Sequence, residues 1–171
     1  MKALLQRVRH AKVEVDQHCV GEISQGILLF LGLEKHDSET ELEKLLERVL
    51  NYRIFSDEQG RMNLSLRDID GGLLVVSQFT LAAQTSKGRR PGFSTAAEPE
   101  HARQLYDHAL AWLSPRQAKL ASGEFGADMQ ISLLNDGPVT FLLERTGNSI
   151  GLDFFSRNRD VNHRSSSSVL A

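Results

Sequence analysis

Three short stretches carry side chains able to do chemistry. Ser77-Gln78-Phe79-Thr80 sets two hydroxyls and a carboxamide directly after the apolar run Leu73-Leu74-Val75-Val76. Polar side chains that close such a run must be hydrogen-bonded or face a cavity, because burying one unpaired costs about 1–3 kcal/mol. Two readings stay open for this stretch: the side chains pair with a neighbouring strand, or they line a site. The second stretch is Asn135-Asp136-Gly137-Pro138-Val139-Thr140. Asn-Asp-Gly-Pro is ordinary turn chemistry, and proline is tolerated where a strand begins. The sharper alternative is a cis Gly137–Pro138 peptide, a form that X-Pro bonds adopt in about 5–6% of folded cases. The third is Lys87, Arg89 and Arg90, with no acid before Glu98. It is either a solvated loop or a contact for phosphates.

Familiar catalytic patterns fail. The chain has no phosphate-cradling loop ending in Lys-Ser/Thr, no His-Glu-x-x-His and no Gly-x-Ser-x-Gly elbow around Ser77. Asp68-Ile69-Asp70 imitates the start of a calcium loop, but Gly72 stands where the third ligand belongs and Phe79 where the closing glutamate should be. His101 and His108 share a helix face without a third ligand at a telling spacing, so no metal and no cofactor is expected.

The elements that must position these residues follow from hydrophobic period. Val13-Glu14-Val15-Asp16 alternates as a strand, with Ala11, Val13 and Val15 on one face. Gly26–Leu33 is an unbroken apolar run, the pattern of a buried strand. Leu42, Leu45, Leu46, Val49 and Leu50 then make one helical stripe, and Ser38 with Glu41 forms a capping-box pattern that places a helix near 38–51. Leu73–Val76 reads as a strand that runs on through Ser77–Leu81, and 82–97 as a loop. Pro99 opens a second helix, whose buried stripe is Ala102, Leu105, Tyr106, Ala109 and Leu113. Met129, Ile131 and Leu133 alternate in a further strand, Asn135–Pro138 breaks it, and Val139–Leu143 resumes. Without a regular βαβ alternation, these elements predict an α/β or α+β domain on a mixed, largely antiparallel, barrel-like sheet with two main helices.

Length and composition bound the rest. The 171 residues suit one domain plus a tail, with 40% hydrophobic and 25% charged residues, 13 Gly and 4 Pro. A single cysteine, Cys19, excludes an internal disulfide and a cysteine-rich metal framework. The net charge of −2 argues against a general basic coat, though not against a local basic patch. No segment reads as a signal peptide or a membrane span, so a cytoplasmic protein is expected. The domain is expected over 1–145. Residues 146–171 form a C-terminal extension expected to be flexible, with four consecutive serines and Phe154-Phe155 as its one anchor.

Leu5-Gln-Arg-Val8, Ser77-Gln-Phe-Thr-Leu81, Lys87-Gly-Arg-Arg-Pro91, Phe125-Gly-Ala-Asp-Met129 and Asn135-Asp-Gly-Pro-Val-Thr140, in this order and spacing, resemble the D-aminoacyl-tRNA deacylase family (the D-tyrosyl-tRNA deacylase type). The likeness spans roughly 1–145. It implies a homodimer acting on aminoacyl-tRNA, with a catalytic segment at Ser77, Gln78, Phe79 and Thr80. It implies further a cis Gly137–Pro138 peptide that reaches into the partner's pocket, braced by Arg7, with Met129 and Asn135 beside the substrate. Carbonyls of Gly137 and Pro138 would hold the α-amino group, so that an L-residue collides where a D-residue points outward. Lys87, Arg89 and Arg90 are expected on tRNA phosphates.

The scissile bond implied is an ester, already activated relative to an amide. A covalent role for Thr80 or Ser77 needs a neighbouring base, and no histidine lies in either motif. The preferred reading is a template in which backbone N–H groups around Gln78–Thr80 stabilise the oxyanion and a ribose hydroxyl assists. A pocket that screens chirality alone would also accept glycine. Two rivals remain: a nucleic-acid-binding module without catalysis, favoured by Arg157, Arg159, His163 and Arg164, and a generic serine esterase.

Overall fold

The computed structural model describes residues 1–145. Its framework is a six-stranded sheet built around strand β1 (Lys2–Val15), which carries partners along both edges. On one edge its first half pairs antiparallel with β3 (Gly26–Gly32), and its second half with β2 (His18–Ile23). On the other edge β8 (Gln130–Glu144) pairs with β1 along almost its whole length. β6 (Gly72–Ser77) joins β3 in parallel, and β7 (Leu120–Ser122) joins β6 in parallel. Gly21 of β2 meets β7 so closely that a Cβ there would lie 2.5 Å from the Ser122 carbonyl. The two ends of the sheet therefore approach each other, which makes it barrel-like.

Both faces of the central strands are covered, which is why they read as unbroken apolar runs. Ile27, Leu29, Leu31, Leu73 and Val75 face one core, with helices α1 (Glu39–Asn51) and α2 (Pro99–Leu113) packed over it. The alternate residues Leu28, Leu74 and Val76 face a second core with Val8, Ala11 and Val13 of β1. The period of two thus sorts one strand between two cores.

α1 starts where the capping pattern places it: Ser38 Oγ accepts from the Glu41 N–H, and the five stripe residues are buried. The reciprocal half of a capping box is absent, because the Glu41 carboxylate turns to Lys44 and Arg145. α2 starts at Pro99 and buries Leu105, Tyr106, Ala109 and Leu113. Ala102 is only half-buried. The two histidines serve the helix packing: His101 Nε2 lies 3.2 Å from the Asp37 carbonyl, and His108 Nε2 lies 2.8 Å from Glu43 of α1.

Three sequence expectations change. The βαβ alternation that the sequence hides is present twice, since α1 lies between parallel β3 and β6 and α2 between parallel β6 and β7. The small β4–β5 ribbon (Phe55–Ser56 with Met62–Leu64) interrupts the first crossover and masks its rhythm. The strand does not continue through Phe79–Leu81. It stops at Ser77, and Phe79–Ala82 is a 3-10 turn. Asn135–Pro138 interrupts the pairing and Val139–Leu143 resumes it, but on the same partner strand, so β8 is one strand with a bulge and not two strands. The expected extension 146–171, with Phe154-Phe155 and its basic residues, lies outside the described residues. No helix among the described residues is long and apolar enough to cross a membrane.

Candidate active site

A cavity of about 470 Å³ opens at the carboxyl end of β6, with Ser77, Gln78 and Phe79 on its wall. Leu31 of β3, Ala102 of α2 and Met129 are among the apolar residues of the remainder. Among the described residues, polar side chains enter only through Ser77 and Gln78, and the lining they form holds no ionisable group. Met129 reaches the cavity because residue 123 is glycine: a Cβ on Gly123 would lie 2.6 Å from the Met129 Sδ.

The change from strand to 3-10 turn decides which backbone groups are free. The Gln78 N–H is already used, donating to the Leu31 carbonyl at 2.8 Å as the last bond of the β3–β6 edge. The next bond in the turn runs from Leu81 N–H to the Gln78 carbonyl at 3.2 Å. The N–H groups of Phe79 and Thr80 come first in the turn and have no acceptor within it. Gln78 Nε2 donates to Thr80 Oγ1 at 2.6 Å, which holds the threonine hydroxyl beside this edge. Beneath, Tyr106 donates its hydroxyl to the Val75 carbonyl at 2.9 Å, two residues before Ser77. Burial pushes its phenol up to about 12.

The second motif is built by a mismatch of register. Gln6 pairs with Thr140 and Val8 with Asn135, so Arg7 alone on β1 faces the four residues 136–139 on β8. The surplus bulges outward as an exposed loop whose Gly137–Pro138 peptide is cis. Asn135 closes its neck: Oδ1 accepts the Val139 N–H at 3.0 Å, and Nδ2 donates to Thr140 Oγ1 at 3.0 Å. Arg7 ties the loop to the body, donating from Nε to the Asp136 carbonyl at 3.0 Å and from Nη1 to the Ile54 carbonyl at 2.7 Å. Arg9 adds an ion pair to Asp136 at 3.2 Å. Gly137 has φ of +133°, and a Cβ there would meet Arg7 Nη2 at 3.0 Å and Val139 Cγ2 at 2.7 Å. Only glycine fits this backbone and this bracing together.

Lys87, Arg89 and Arg90 occupy the exposed tip of a ribbon closed by paired bonds between Gln84 and Gly92, at 2.7 and 3.0 Å. The structure therefore brings Ser77, Gln78, Phe79 and Met129 together in one cavity, with Thr80 alongside. It leaves Arg7, Asn135, Gly137 and Pro138 in a separate cluster, none of them on the cavity wall of the same chain. Sequence reasoning passed over Arg9, although its spacing of two from Arg7 puts both arginines on one strand face. It also left out Ala102 and Phe125 of the lining. Phe125 lies 5.7 Å from Tyr106 and carries the Arg103 guanidinium at 4.7 Å.

The chain belongs to the D-Tyr-tRNA(Tyr) deacylase family, whose sequence profile matches residues 4–144. A D-aminoacyl-tRNA deacylase of Cellvibrio japonicus is 60% identical over 144 residues, covering 84% of this chain and 99% of its own. That of Pseudoalteromonas translucida is 60% identical over 143 residues, with the same coverage. Among solved structures, a c-Myc DNA unwinding element binding protein superposes with a TM-score of 0.81 at 40% identity, over 85% of this chain and 99% of that one. A second, described as a "probable eukaryotic D-amino acid tRNA deacylase", gives a TM-score of 0.72 at 16% identity over 83% and 97%, and so shows the shared fold.

Proposed function

We propose that this chain hydrolyses the ester joining a D-amino acid to the terminal ribose of tRNA, releasing both. The observation that carries the reading is the cavity at the end of β6, in a chain of this family: it offers backbone donors and no ionisable group among the described residues. Its volume of about 470 Å³ suits a terminal nucleoside with its amino acid. The carbonyl oxygen gathers negative charge as water adds, and the Phe79 and Thr80 N–H groups, which have no acceptor in the turn, are the donors that would meet it. The Gln78 N–H, committed to Leu31, drops out of the donor set expected from sequence. With no base in the described lining, Thr80 stays a hydroxyl held by Gln78 rather than a nucleophile. The neighbouring ribose hydroxyl positions the attacking water. The ester C–O bond then breaks, and the ribose oxygen leaves with a proton.

Chirality is screened by a second copy. The Gly137–Pro138 loop is exposed and does not line the cavity of its own chain, which supports a homodimer in which each loop enters the partner's pocket. Its carbonyls take the α-amino group, so the side chain of an L-residue meets backbone. Lys87, Arg89 and Arg90 take acceptor-strand phosphates, and a cytoplasmic location follows from the substrate. The catalytic domain is residues 1–145, with 146–171 an extension to it. One assay tests the reading: incubate the protein with matched D-, L- and glycyl-tRNA and follow ester loss. Rapid loss of the D and glycyl esters with survival of the L ester is expected. Survival of the glycyl ester under conditions that clear the D ester would overturn the purely chiral screen. Equal loss of D and L would indicate a general esterase. Loss of none would favour a nucleic-acid-binding module, a reading suggested by the DNA-binding description of the 40%-identical relative.

A further inference from the structure

The cavity has an aromatic porch that the hydrolytic reading does not use. Phe79 is 61% exposed and Phe93 41% exposed, and their ring centroids lie 5.1 Å apart at 48°. Phe79 stands on the cavity wall, whereas Phe93 lies outside it, at the foot of the ribbon that carries Lys87, Arg89 and Arg90. The foot is fastened on both sides of Phe93. The Gln84 and Gly92 backbones exchange two bonds, Ser94 Oγ donates to Gln84 Oε1 at 2.9 Å, and Thr95 Oγ1 donates to the Ala82 carbonyl. Phe93 is thus held on a supported backbone with its side chain part exposed against Phe79, an arrangement that core packing does not require.

Aromatic faces beside a basic track are how single-stranded nucleic acids are held: bases stack on the rings while cations follow the phosphates. From the cavity outward the order here is terminal-nucleoside pocket, Phe79, Phe93, basic tip. Charge complementarity selects a polyanionic strand over an acid-free apolar peptide. We infer that Phe93, with Phe79, forms a stacking platform for the unpaired base next to the terminal nucleotide of the tRNA acceptor end. The inference rests on the proposed aminoacyl-tRNA substrate and adds to it a contact that positions that substrate.

Two readouts test it. The first compares Phe93→Ala and Phe93→Tyr on D-aminoacyl-tRNA and on a D-aminoacyl-adenosine ester, which has no upstream base. Phe93→Ala is expected to raise KM for the tRNA about tenfold, within the range of a lost base–aromatic stack, and to leave kcat and adenosine-ester hydrolysis unchanged. Phe93→Tyr restores the wild-type KM. Equal losses on both substrates, or no change on either, would overturn the platform. The second readout needs no hydrolysis. An uncharged acceptor minihelix with fluorescent pyrrolocytosine at the penultimate position should be quenched on binding to the wild type and not to Phe93→Ala. Quenching by both proteins, or by neither, rejects the inference. If the wild type leaves both esters intact, the hydrolytic reading fails by itself, and the quenching still decides whether the platform exists.

Discussion

Arg7 joins three parts of the chain through one planar group. Its Nε and Nη1 point in different directions, to the Asp136 and Ile54 carbonyls. A lysine ammonium has the charge without that fork, so Arg7→Lys should fail almost as fully as Arg7→Ala. Both are expected to lower the ratio of kcat/KM for D- over L-aminoacyl-tRNA by more than about tenfold, since the loop then drifts from the geometry that screens the substrate. Retention of full discrimination by Arg7→Lys would show that charge alone suffices. At Thr80 the expectation is the reverse. Thr80→Ala keeps the backbone N–H and loses only a hydroxyl that Gln78 already holds, so kcat should stay within about tenfold of wild type. A substrate with a 2′-deoxy terminal ribose should be left intact. An acyl-enzyme trapped on Thr80 would contradict both expectations. Spacing in the sequence shows that Arg7 and Arg9 share a strand face, but the partner they hold lies 129 positions away from Arg7.

Two elements behave differently from their local sequence, each for a tertiary reason. Phe79-Thr80-Leu81 has the aromatic and β-branched composition of a strand. The strand ends because the Gln78 N–H makes the last bond to β3 and the chain then turns back on the Gln78 carbonyl. Asn135-Asp136-Gly137-Pro138 has the composition of a turn, yet the chain on either side returns to the same partner strand and the turn becomes a bulge. The basic ribbon is closer to its sequence reading, since glycine at 88 adopts φ of +74° at its tip. Replacing Lys87, Arg89 and Arg90 together by glutamine should weaken tRNA binding for all tRNA species alike. It should also flatten the dependence of log K on log salt by about two, the value for three charges on a single strand. An unchanged slope would remove the ribbon from the RNA path.

For the whole molecule, the acid flank of stability is expected to follow four carboxyls outside the cavity lining. Hydrogen bonds from Lys44 and Arg145 hold the Glu41 carboxyl below its ordinary 4.5, and hydrogen bonds from Arg67 and Asn51 do the same for Glu47. Asp57 and Asp68 are lowered from 3.8, by bonds from Asn63 and Ser65 first. Lowered carboxyls bind protons more readily in the unfolded chain, so stability is full above pH 4.5 and falls as the pH drops below it. At the alkaline end Tyr106 works the other way. Its folded phenol is raised from 10.0 to about 12, so the unfolded chain releases the proton first and stability falls as pH rises above 10. Urea titrations should therefore show a midpoint declining on both flanks. Tyr106→Phe should remove part of the alkaline decline, and an unaltered alkaline flank would place its cause elsewhere. By itself the sequence determined the local patterns: the apolar runs of β3 and β6, the buried stripes of α1 and, Ala102 apart, of α2, where Ser38 and Pro99 open helices, and which motifs carry the family likeness. Strand and helix periods are properties of neighbouring residues and can be read from them. Only the tertiary structure decided that Ser77–Phe79, Ala102 and Met129 share one cavity while Gly137–Pro138 stands apart from it. Those relations depend on strand pairing and register between segments distant in sequence, and no local spacing encodes them.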